Sequence, residues 1–140
     1  MLIAALKSSS WAYPALEVAH LCGIALLLGN LVLLEMRVFG RGAVLDVRAL
    51  ASLSLGIAVA GFLLAAMSGL LMFASQAAEL LTNRAFTLKM VLLALASCNA
   101  AWFHGRDSLG KLDTVARLQM VVSSLIWLAV VVCGRWIAYV

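Results

Sequence analysis

Apolar residues fall into four runs, Pro14 to Met36, Leu50 to Ala74, Phe86 to His104 and Arg117 to Ala138, and most of the charges lie in the short stretches between them. A helix rises 1.5 Å per residue, so each run has roughly the 20 residues needed to cross about 30 Å of hydrocarbon. The pattern predicts transmembrane helices at about residues 11–36, 50–75, 85–104 and 115–138. Connections this short make sequential helices antiparallel neighbours. The expected fold is therefore all-α, an integral membrane four-helix up-down bundle forming one domain over residues 1–140.

Helix ends carry the expected punctuation. Ser10 is a candidate cap for the first helix, Thr82 or Asn83 for the third, and Asp113 or Thr114 for the fourth. Gly40 and Gly42 mark the exit of the first helix. The second helix bears Gly61, Ala65 and Gly69 at every fourth residue, a small-residue ridge on which another helix, of this chain or of a second one, can approach closely.

Composition agrees: 66% of residues are hydrophobic, 11% are charged and one is proline, which excludes a water-soluble surface. Met1 to Leu6 is too short for the apolar region of a cleaved signal, so the start of the chain is expected to be retained. Cys22, Cys98 and Cys133 fall within helices without C-x-x-C spacing, which argues against a disulfide framework or zinc site and for small packing residues. Neither a glycine-rich phosphate loop nor a nucleophile arrangement is present. The net charge of +4 needs no nucleic acid, since basic loops against anionic headgroups account for it.

The first and third connections hold Arg37, Arg41, Arg48, Arg106, Lys111 and Arg117, against Lys7, Arg84, Lys89 and Arg135 at the other end. By the positive-inside rule both termini lie outside, in the periplasm of a Gram-negative host. Here "outer" denotes that end of the bundle and "inner" the opposite one.

Depth follows from antiparallel packing. Glu17 and His20 enter the first helix, Lys89 the third, and Arg135 leaves the fourth, all toward the outer face, where the second helix adds Met67, Ser68 and Met72. Ionisable groups inside spans cost about 2.5–3.5 kcal/mol on insertion scales and persist mainly where they pair, bind a ligand or line a wet path. Plainer roles exist for each: Lys89 and Arg135 can snorkel to the headgroups, Glu17 can pair with either, and His20 can hold two helices together. Glu17 and His20, three residues apart, share a helix face, on which the carboxylate can orient the imidazole. Leu16, His20, Gly23, Leu27 and Asn30 form one stripe and Lys89, Leu92, Ala96, Asn99 and Phe103 another, as expected if the two face each other. An inner layer of Asn30, Asn99, Ser52, Ser54, Gln119, Ser123 and Ser124 reads as interhelical glue, with Trp102 and His104 as rim anchors.

The stretch from Trp11 through Tyr13, Pro14 and Glu17 to His20, with Gly23, Gly29 and the Glu35-Met-Arg37-Val-Phe-Gly40 exit, resembles an uncharacterised bacterial family of small four-helix membrane proteins with a W-x-Y-P-x-x-E-x-x-H opening. Similar third-helix positions are Phe86, Lys89 and Asn99. The resemblance spans most of the chain and implies a bacterial inner membrane but no established activity. More distantly, the chain is similar to four-helix b-type cytochromes and to the membrane domain of copper-resistance protein D, which implies haem or copper handling. It departs from cytochromes that stack two haems, which need four histidines; this chain has two.

His20 and His104 lie nearly a bilayer apart in this topology, which rules out bis-histidine ligation within one chain. A single haem b would take His20 with Met67 or Met72, a pairing used by electron-transfer haems, and Lys89 and Arg135 would face its propionates. Copper would draw on His20, Cys22, Met67, Met72, Met90 and Cys133 as soft donors. The expected function is a redox-linked haem-binding or quinone-facing element with His20, Glu17, Lys89, Arg135, Met67 and Met72 at the site and His20 as any metal ligand. The alternatives are copper handling, or a non-catalytic anchor or assembly subunit. The expected partners are the lipid bilayer, a quinone or redox protein, and a second copy or a larger membrane complex.

Overall fold

The computed structural model describes residues 1–140, and its long helices start where side-chain chemistry permits. Two short helices, α1 (Leu2–Ser8) and α4 (Ala77–Thr82), lie at the outer end and α6 (Ser108–Lys111) at the inner end. The four long ones are α2 (Ala12–Val38), α3 (Val47–Ser75), α5 (Arg84–Gly105) and α7 (Thr114–Trp136), with a 3-10 turn over Ile137–Tyr139. All four are long and apolar enough to cross a membrane, the last span running on to Tyr139. An α-helix satisfies its own backbone hydrogen bonds, the condition for lying in hydrocarbon. Only 19 of 140 residues are buried within the chain, so most apolar surface has to be covered from outside. The protein is a multi-pass membrane four-helix bundle, as hydropathy predicts.

Asp46 accepts the amide of Arg48 at the start of α3, Asn83 those of Ala85 and Phe86 at α5, and Asp113 that of Ala116 at α7. Asn83 also donates through Nδ2 to the carbonyls of Ile137 and Val140, tying the end of the chain to α5. Ser10 does not cap α2, which begins after Trp11 without a side-chain cap. Its far end runs two residues past Met36 because Val38 is buried in the inner core and Arg37 donates Nε to the Leu45 carbonyl. Gly40 and Gly42 take φ of +95° and +63° in the turn that follows, a region open to glycine at little steric cost.

The helices form two hairpins, α2 on α3 and α5 on α7, joined through α2 and α7. They converge at the inner end around Leu34, Val38, Ala51, Phe103, Ala116 and Met120. The stripes of α2 and α5 therefore do not face each other: α2 turns Gly23, Leu27 and Leu34 inward, mainly against α3, while α5 packs on α7. At the outer end α3 meets α5 through stacked rings of Phe73 and Phe86, 5.5 Å between centroids.

The ridge on α3 is spent inside the chain. A Cβ built on Gly61 would lie 2.6 Å from the Gly23 carbonyl oxygen, and one on Gly23 2.6 Å from both the Gly61 oxygen and the Ala65 nitrogen. The backbones of α2 and α3 are thus in contact, and this ridge is closed to a second copy. The cysteines are not uniformly packing residues either: Cys133 is buried, whereas Cys22 and Cys98 are exposed on the bundle surface.

An ionic clamp closes the inner loop. Arg106 donates Nη1 to Asp113 Oδ1 at 3.1 Å, pairs Nη2 with Oδ2, and reaches Ser108 Oγ at 3.0 Å; Arg48 bridges Asp107 at 3.1 Å. The Arg106 guanidinium, followed by the Ala116 amide, holds the Asp113 carboxyl down at about 2, and the same pairing raises Arg106. A depressed carboxyl stabilises the fold above its unfolded value and loses that contribution as pH falls through the folded one. The stability difference between wild type and Asp113→Asn should therefore be full above about pH 5, shrink through the range between the two values and be lost only below about pH 2. Thermal melts in an acid-stable detergent check this, and a difference undiminished at pH 2 contradicts it.

Candidate functional site

His20 sits where α2 and α3 are closest. The small residues Gly23, Gly61 and Ala65 bring the two backbones together, and Gly69, one turn further along α3, leaves room for the ring: a Cβ there would be 3.2 Å from Cε1 and 3.4 Å from Nδ1. Nδ1 lies 2.7 Å from the Ala65 carbonyl oxygen and 3.3 Å from Ser68 Oγ. A carbonyl only accepts, so in the neutral ring Nδ1 carries the hydrogen and donates it, and Nε2 keeps its lone pair. Ser68 is itself fixed by donating to the Leu64 and Ala65 carbonyls. The ring is half-buried and held in one orientation, with Nδ1 and Cε1 against α3.

Lys89 reaches inward across the bundle. Its Nζ lies over Gly134 of α7, 3.6 Å from where a Cβ would be, beside the buried Cys133. The only ion pairs in the chain are the two at the inner loop, so this half-buried ammonium faces no carboxylate. His20 and Lys89 thus stand on two different hairpins, the first against Ala65 and Gly69 of α3 and the second against Gly134 of α7.

The other expected members lie apart from this pair. Glu17 is exposed and makes no hydrogen bond; the role expected of it, orienting the imidazole, is filled by the Ala65 carbonyl. Arg135 is exposed, donating to the Tyr139 hydroxyl at 2.8 Å with its guanidinium 5.2 Å from that ring's centroid, an arrangement suited to the headgroup boundary. Met67 is 67% exposed and faces outward, whereas Met72 is half-buried on the α3 face that carries Ser68. Among the soft donors, Cys22 and Met90 are exposed on the surface, and no three His, Cys, Asp or Glu side chains converge on a point.

In the inner half, Asn99 donates to the Gln119 carbonyl at 2.9 Å and Ser108 to Gln119 Oε1 at 2.5 Å. These ties hold helices and loops together, the role expected of this layer. Asn30 instead bonds back to Leu26 on its own helix. The sequence marks Glu35 only as part of the exit motif of α2, whereas its carboxylate accepts a hydrogen bond from Ser124 across the α2–α7 contact. The signal was the helix end: ending α2 at Met36 puts Glu35 at the rim, whereas continuing to Val38 draws it into the bundle.

No family model, curated protein or solved structure matches the chain. What fold and site define together is a class, a four-helix integral membrane bundle with a histidine and an unpaired lysine in its outer half.

Proposed function

We propose that this chain is a redox-linked element of a bacterial inner membrane, in which His20 offers its Nε2 electron pair to a membrane-embedded redox group. One observation carries the reading: the bond from Nδ1 to the Ala65 carbonyl selects the tautomer and fixes the ring, the arrangement that supports ligating histidines. The donor set fits haem b, which when bound supplies a one-electron iron centre. His20 would hold it axially, Met72 is the sulfur on the appropriate α3 face, and Lys89 is the cation for a propionate. A quinone-facing reading is favoured by Lys89 as well, because an ammonium without a carboxylate partner would stabilise the charge that develops on a quinol oxygen as its hydroxyl proton passes to His20. Copper draws less support, since the sulfur donors are dispersed. An anchor or assembly role needs no bound group and leaves the lone lysine without a purpose.

A reduced-minus-oxidised absorption spectrum of protein purified in mild detergent from haem-sufficient cells tests this. Haem binding predicts a Soret band that His20→Ala abolishes and His104→Ala preserves. Quinone binding predicts no band, but co-purifying quinone that is lost in the same variant. Protein carrying neither sinks the redox reading.

A further inference from the structure

Above the His20 level the seam between α2 and α3 turns polar again. Tyr13 stands seven residues before His20 on α2 and Ser75 seven residues after Ser68 on α3. Seven residues are close to two helical turns, so both pairs share their faces and lie roughly 10 Å apart along the bundle. At the upper level a cavity of about 240 Å³ is lined by Leu6, Lys7, Ser9, Tyr13, Ser75 and Gln76, room for several waters. Five of these six side chains carry a group able to hydrogen-bond. The Ser9 hydroxyl is buried without a protein partner, and a buried hydroxyl in that state is commonly satisfied by water.

We infer that this cleft is the aqueous vestibule of the His20 site, through which water, and with it protons, reaches the imidazole from the outer face. Its importance to function rests on the redox reading above; its existence does not. The path runs down one face of α3, from Ser75 past Met72 to Ser68, and ends at the ring, which packs into the space that Gly69 leaves. Leu16 and Met72 occupy the turn between the two levels, and the flexible thioether of Met72 is the element that has to yield.

Thiol accessibility in lipid nanodiscs tests the vestibule whichever way the protein faces. The wild-type cysteines, two on the lipid-facing surface and one buried, set a low background for a trimethylammonium-bearing methanethiosulfonate. Cysteines at Ser75, Met72 and Ser68 should react in that order of rate. The slowest should still exceed by about tenfold a cysteine at Leu70, which faces hydrocarbon that a fixed charge avoids. Met72→Cys keeps the test decisive should Ser68→Cys disturb the His20 bond and fail to fold. Labelling at Ser75 alone makes the cleft a dead end, and equal labelling at Leu70 means a generally solvated outer half; either overturns the proposal. A chain without chromophore or quinone that still labels in the expected order would sink the redox reading and leave the vestibule standing.

Discussion

Gly61→Leu is expected to be the most destabilising single change in this chain, at about 3 kcal/mol, the upper end of what overpacking costs. The Cβ alone would lie 2.6 Å from the Gly23 oxygen, 2.7 Å from the Leu26 Cβ and 2.9 Å from the Leu27 nitrogen. Two of those three atoms are backbone, which cannot rotate away as a side chain can. Relief requires α2 and α3 to separate, and separation draws the Ala65 carbonyl away from His20, so any property that depends on the fixed ring should go as well. Gly29→Ala is the control. A Cβ there meets nothing within 4 Å, and alanine's better helix propensity should raise stability by about 0.5–1 kcal/mol. Denaturant titration in mixed micelles reads both. Equal stability of the two variants would mean that α2 and α3 are not in backbone contact.

Lys89→Met should move stability and function in opposite directions. The ammonium is half-buried over Gly134 with no carboxylate to offset it, and the charge costs about 2.5–3.5 kcal/mol on insertion scales. Methionine keeps the length of the side chain and removes that cost, so the bundle should gain on the order of 2 kcal/mol. Haem or quinone retention should fall at the same time, because the group facing developing charge is gone. Glu17→Gln, at an exposed position away from the ring, should leave both within about 0.5 kcal/mol of wild type, as for most surface changes. A Lys89→Met protein that unfolds would make the lysine a structural member of the outer layer, and the site assignment would fall with it.

Hydropathy and turn chemistry together determined that the chain spans a membrane four times, where the helices run, and that antiparallel neighbours bring His20 and Lys89 to one end. Those conclusions rest on local quantities: residue transfer energies, a fixed rise per residue and connections too short to allow another order. The two-residue misplacement of the end of α2 was local as well, yet it hid Glu35, because whether a helix continues into a glycine turn depends on what Val38 can bury. Which faces meet was decided only by the tertiary structure. Periodicity marks an amphipathic stripe by contrast with its surroundings, and in helices apolar on all sides that contrast is weak, so α2 was paired with α5 when the close fit of Gly23 to Gly61 pairs it with α3. The same contact settled the histidine's partner. A carboxylate three residues away is visible in sequence, whereas a backbone carbonyl on another helix becomes available only when two backbones touch and no side chain intervenes.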